Sequence, residues 1–147
     1  LNAVPSACSI YLDRRLAPDE RIEQVRAEMD ALVAGKDAFW EVGTLRHTSW
    51  TGAELVYEPM HNPWQIQRDH PLTLAMDKAY ASVFGHAPQQ YDFWDFGTNA
   101  VTPIAMGIPV IGFGPGAYKL AHMRNEHCPV QQILDACQVY ARLIEFL

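Results

Sequence analysis

The segment from Glu58 to His70 constrains the fold most. It holds two prolines, Pro59 and Pro63, and its apolar residues follow neither a helical nor a strand period, so no regular element is expected to run through it. We read it as a crossing that divides the chain into two units, residues 1–60 and 61–147. Before the crossing the periodicities run β-α-β-β, and after it α-β-α-β-α.

In the first unit, Cys8 to Leu12 alternates like a strand, with Ile10 and Leu12 on one face. Ala17-Pro18-Asp19-Glu20 reads as a helix start, with Pro early and acids in the first turn. Ile22, Val25, Met29, Leu32 and Val33 then recur at helical spacing, and Gly35 closes the helix. Extended segments are expected over 38–45 and 53–57, joined by a polar turn containing Thr51-Gly52.

In the second unit, a helix starts near Pro71 after the candidate cap Asp69, burying Leu72, Met76, Tyr80 and Val83. Tyr91–Phe96 reads as an aromatic strand, and residues 97–106 as a loop entering a short helix. Ile108–Phe113 has the continuous apolar run of a buried parallel strand. A last helix begins near Val130, with Ile133, Leu134, Cys137, Tyr140 and Ile144 on its expected core face. The fold class is α/β, and the first block resembles half of a small α+β unit. One helix cannot cover both faces of a sheet, so both blocks are expected to be pieces of larger domains.

Composition limits the function classes. Of 147 residues, 49% are hydrophobic and 19% charged, a globular profile able to build a core. A formal net charge of −6 argues against nucleic-acid or anionic-membrane partners. Cys8, Cys128 and Cys137 form no C-x-x-C pair and are odd in number, which suggests a reducing, cytoplasmic setting. No apolar run approaches the ~18 residues of a membrane span. The opening Leu1-Asn2-Ala3-Val4-Pro5 is expected to lie inside a larger protein.

Open α/β sheets bind ligands beyond the carboxyl ends of their strands. Two glycine-bearing loops leave candidate strands here, Phe96-Gly97-Thr98-Asn99 and Gly112-Phe113-Gly114-Pro115-Gly116. Glycines at such exits either make tight turns or let backbone N–H groups approach an anion. The spacing matches neither a dinucleotide fingerprint nor a P-loop. His122 follows the second loop, and imidazole is a common zinc ligand. From spacing alone it is either a surface histidine or one ligand of a larger set. His47, His61, His70, His86 and His127 form no H-x-x-x-H or H-x-D arrangement with it.

The motifs Asn2-Ala-Val-Pro5, Asp13-Arg14-Arg15, His70-Pro71-Leu72, Phe96-Gly97-Thr98-Asn99, Gly107-Ile108-Pro109, Gly112-Phe-Gly-Pro-Gly116 and Ala121-His122-x-x-Asn125-Glu126 occur in this order. Together they resemble the C-terminal half of the di-zinc aminoacylase family, which includes acetylornithine deacetylase, succinyl-diaminopimelate desuccinylase and carboxypeptidase G. Ser49-Trp50-Thr51-Gly52 is similar to a branch of uncharacterised hydrolases linked by name to selenium metabolism.

The resemblance implies that residues 1–60 are the second half of a ferredoxin-like lid that usually dimerises. Residues 61–147 would be the C-terminal part of a zinc-exopeptidase-like catalytic domain. It makes His122 the last metal ligand, and Asn2 and Arg15 the lid residues that grip a substrate carboxylate, a task suited to the guanidinium fork. Gly97, Thr98, Asn99 and Gly114 would line the substrate site. The cofactor implied is Zn2+, two per intact site, with Co2+ or Mn2+ as substitutes. The substrate would be a small N-acyl amino acid or peptide, cleaved by metal-activated water.

The family's H-x-D ligand pair, its Glu-Glu pair, a further acidic ligand and a lid histidine are expected in a missing N-terminal half. Asn99-Ala100 stands where many relatives have Asp-Gly. Arg14, Cys128 and the four tryptophans have simpler readings as surface or packing residues, with Trp64 a candidate hinge or lid contact. The competing functional reading is a non-catalytic fragment or dimerisation module without a complete metal site.

Overall fold

A computed structural model describes residues 4–94 and 96–147. It divides into two compact units, Leu1–Pro63 and Trp64–Leu147. Asn2 lies outside the described residues.

The first unit contains helix α1 (Ile22–Val33) and strands β1 (Leu45–Thr48) and β2 (Glu54–Tyr57). The helix starts later than Pro18 suggests, because Glu20 is spent on a preceding turn. Its carboxylate accepts the Ala17 N–H at 2.7 Å and pairs with Arg14 at 2.5 Å. Gln24 then accepts the Arg21 N–H at 2.7 Å, satisfying one of the donors a helix start leaves open. Gly35, with φ 70°, turns the chain out of the helix, and the Trp40 indole N–H reaches back to Asp30 at 2.9 Å. Arg14 also pairs with Glu28 of α1 and is a surface residue, as its simpler reading had it.

The two strands form an antiparallel hairpin with Leu45 opposite Tyr57 and Thr48 opposite Glu54. Ser49 closes its turn, taking the Gly52 N–H on its carbonyl at 2.9 Å and the Ala53 N–H on its hydroxyl at 3.1 Å. The first strand begins only at Leu45, where the 38–45 segment was expected to end. Cys8–Leu12 forms no strand either: a ladder needs a partner, and Ile10 and Leu12 stay 78% and 71% exposed. No described residue of this unit is buried.

In the second unit, α2 (Pro71–Phe84) packs on α4 (Val130–Phe146), with the short α3 (Val101–Ala105) and a 3-10 turn (Tyr118–Leu120) between them in sequence. Ala75, Ala79 and Ala136 are small buried residues of these two helices. Met76, Ala79 and Val139 form the buried core, flanked by Val83, Ile111, Phe113 and Leu143. Pro71 opens α2 as a helix-starting residue should. Its cap, however, is His70 and not Asp69: the imidazole Nδ1 accepts the Leu72 N–H at 3.1 Å. Gly85, with φ 76°, ends the helix.

Two expected strands are not strands. Tyr91–Phe96 and Ile108–Phe113 carry no ladder among the described residues. Ile111 and Phe113 nevertheless pack into the α2–α4 core, so the apolar run is partly buried without being paired. The core face of α4 also differs from expectation. Ala136 is buried, and Val139 and Leu143 pack with Met76 and Ala79 of α2, whereas Ile133, Leu134 and Ile144 are 46%, 51% and 77% exposed. The mixture of helices with a strand pair agrees with an α/β assignment. No helix among the described residues is long and apolar enough to cross a membrane.

Candidate functional site

The second unit brings most of the candidate residues near one tryptophan. After Phe96 the chain turns through Gly97 and Thr98, whose hydroxyl accepts the Ala100 N–H at 3.2 Å. The Asn99 carbonyl takes the Thr102 N–H at 3.2 Å as α3 begins. Thr98 and Asn99 line an open cavity of about 420 Å³ with Trp64, Trp94, Pro103 and Ile111. Its walls are apolar apart from these two side chains, which suits a ligand with an apolar body and a small polar group.

Gly114 lies in a second cavity of about 520 Å³, whose lining includes Trp94, Phe96, Tyr118, Glu126 and Cys128. Trp94 borders both. The rings of Trp94, Phe96 and Tyr118 form a continuous stack, with centroid separations of 5.6 Å and 5.4 Å. This aromatic shelf was missed in the sequence. The segment 91–96 does not alternate strictly, and Tyr118 is distant in sequence, so no local pattern announced it.

His122 stands at the edge of the shelf, its ring meeting Phe96 edge-on at 5.4 Å. Its φ of 62° is left-handed, the one such value among the described residues other than glycine. That conformation is costly for a residue with a Cβ, and it is held by a specific contact: the His122 N–H donates to Glu126 at 3.1 Å.

The loop glycines differ in what they permit. At Gly97 and Gly114 an added Cβ would meet nothing within 4 Å. At Gly112 it would come within 2.7 Å of the Trp94 ring. The close approach in the Gly112–Gly116 loop is therefore to an indole. Gly116 anchors the loop to α4 by donating its N–H to Gln132 at 2.9 Å.

Arg15 belongs to the first unit, where it pairs with Asp13 at 3.2 Å. Both side chains of this pair are largely exposed.

No group of three or more His, Cys, Asp or Glu side chains able to hold a metal occurs among the described residues. Next to His122, Glu126 uses one carboxylate oxygen on the backbone. The residues present thus supply one imidazole and not a metal site, since zinc needs three or four protein ligands.

A family model described as peptidase family M20/M25/M40 matches residues 10–145. The chain belongs to this family. It is 36% identical over 144 residues to the uncharacterized protein YgeY of Escherichia coli, covering 96% of this chain and 36% of that protein. It is 25% identical over 143 residues to a putative succinyl-diaminopimelate desuccinylase of Mycobacterium tuberculosis, covering 97% and 34%. It is also 25% identical over 150 residues to an acetylornithine deacetylase of Myxococcus xanthus, again covering 97% and 34%. The chain therefore spans about a third of the length of these relatives. No solved structure gives a significant match. Enzymes of this family are hydrolases and are generally metal-dependent.

Proposed function

We propose that this chain is the C-terminal portion of an amidohydrolase or exopeptidase that cleaves an amide or peptide bond beside a carboxylate. The observation that carries the reading is the family match over residues 10–145. Relatives named as a desuccinylase and a deacetylase support an acylated amine as the substrate class.

In this reading His122 is one zinc ligand, fixed by Phe96 and Glu126, and further polypeptide brings the other ligands. Cobalt or manganese could replace zinc. The attacking water and the general base come from further polypeptide, while Glu126 holds the His122 backbone through one carboxylate oxygen. What this chain contributes is placement. Thr98 and Asn99 offer hydrogen bonds at the mouth of an apolar cavity, the Trp94–Phe96–Tyr118 shelf offers a flat wall, and Gly97 and Gly114 offer backbone. Arg15, and Asn2 beyond the described residues, would take the substrate carboxylate from a lid half that pairs with its copy in a homodimer. The setting is cytoplasmic.

The absence of a metal-binding group among the described residues favours one alternative, a non-catalytic module. Zinc analysis separates the two. The catalytic reading expects native-length protein to hold zinc and to release amine from N-acyl amino acids or dipeptides, and His122→Ala to reduce both. A native-length protein with neither zinc nor turnover would leave the non-catalytic module.

A further inference from the structure

The C-terminal helix holds the 112–116 loop on both sides of Gly114. On one side the Tyr140 hydroxyl donates to the Phe113 carbonyl. On the other the Gly116 N–H donates to the Gln132 side-chain oxygen at 2.9 Å. Gln132 and Tyr140 are eight residues apart on α4, about 12 Å along its axis. Ala136, midway between them, is buried, and so is Val139 beside Tyr140. Both anchors therefore stand on the stretch of α4 that packing against α2 makes firm.

Tyr140 acts on the loop in two separable ways. The Phe113 ring sits between two tyrosines, edge-on to Tyr80 of α2 at 6.2 Å and to Tyr140 at 5.6 Å. These contacts hold the side chain, whereas the hydroxyl holds the main chain. Loss of solvent, and then Cys137, raise the Tyr140 pKa above the ordinary 10.0, so the phenol keeps its donated proton through the neutral range.

The stretch between the anchors has one donor. Pro115 has no N–H, and the Gly114 N–H meets no acceptor among the described residues. A hydrogen bond weakens steeply when its donor is misaligned, and a donor fixed in advance spares a ligand the cost of ordering it. A loop tied at both ends meets that demand.

We propose that Tyr140 and Gln132 are positioning residues that fix where the Gly114 N–H meets an oxygen of the substrate. Neither is a catalytic residue, since both act through the loop backbone. The inference rests on the reading above in which Gly114 lines the substrate site.

The test uses the protein at its native length. Tyr140→Phe keeps the ring and removes the donor, Gln132→Met keeps the length and removes the acceptor, and Gln132→Glu keeps an acceptor oxygen. With the N-acyl amino acid that the parent hydrolyses fastest, Tyr140→Phe and Gln132→Met should each raise KM about three- to tenfold, the worth of one hydrogen bond. Their kcat should stay within about twofold, the pattern of lost uniform binding, and Gln132→Glu should restore KM. A residue that only braced the fold would lower Tm and leave KM of the folded enzyme unchanged. Hydrogen exchange read by mass spectrometry needs no turnover: peptides covering 112–117 should exchange at least about fivefold faster in the two loss variants, with α2 peptides unchanged. An active parent with unchanged KM in both loss variants, or unchanged exchange over 112–117, would overturn the proposal and leave the functional reading standing. A parent inactive on the whole panel would instead overturn the functional reading, and with it the substrate role given to the loop.

Discussion

The indole of Trp94 lies so close to Gly112 that a methyl group on residue 112 would stand 2.7 Å from the ring. The same indole stacks on Phe96, which in turn meets His122. A backbone position without a side chain thus sets the shelf beside the candidate ligand. Gly112→Ala should displace the indole, and because that ring is 45% exposed and can give way the cost should fall below the ~1–3 kcal/mol of overpacking a closed core. Urea melts followed by tryptophan fluorescence would measure it. With Trp94→Ala in the background the same change should cost much less, and a double-mutant cycle reads the difference as coupling.

His70 holds the start of α2 by accepting the Leu72 N–H. His70→Ala removes the acceptor and should cost about 1 kcal/mol. His70→Asn or His70→Ser should recover most of it, because either side chain can cap. Chemical denaturation of the three variants checks the order.

Tyr91 donates to Asp77 at 2.5 Å, and the Arg68 guanidinium lies over its ring, 3.3 Å from the centroid. Loss of solvent around the phenol, and then the hydrogen bond and charge of Asp77, raise its pKa above the ordinary 10.0; Arg68 opposes them. A raised folded value means that this contribution is complete below about pH 10 and is lost as pH climbs through the folded value. The second unit should therefore weaken at alkaline pH, with tyrosinate absorbance rising alongside. Tyr91→Phe should abolish that step and lower stability at neutral pH by about 1 kcal/mol or less.

Glu20 behaves oppositely. The Ala17 N–H, and then the Arg14 guanidinium, hold its carboxyl below its ordinary 4.5. Its contribution is present above that ordinary value and fades as pH falls through the lowered one. Acid titration by circular dichroism should show α1 fraying in that window, and Glu20→Gln should remove the pH dependence while weakening the turn at neutral pH.

Helices were the legible part of this sequence. Ile22 to Val33, Pro71 to Phe84 and Val130 to Phe146 declare themselves by local period, and a helix closes its own hydrogen bonds. Strands do not. Cys8–Leu12 and Ile108–Phe113 have suitable side chains, yet a strand exists only where another strand accepts its ladder, which no local pattern reports. The face of α4 misled for a related reason. Ile133, Leu134, Cys137 and Ile144 make the larger apolar stripe, but the buried residues are the smaller Ala136 and Val139. At the site, the motifs drew attention to the loops and to His122 before the structure showed where they lie. The stack of Trp94, Phe96 and Tyr118 was not legible, because Tyr118 joins it across a separation in sequence that only the folded loop closes.

The most direct measurement of the central claim is zinc content, with hydrolysis of an N-acyl amino acid panel, in native-length protein and its His122→Ala variant. The account predicts bound zinc and turnover in the parent, with both strongly reduced in the variant because an open two-metal site loses a ligand. Unchanged zinc and unchanged turnover after His122→Ala would contradict it.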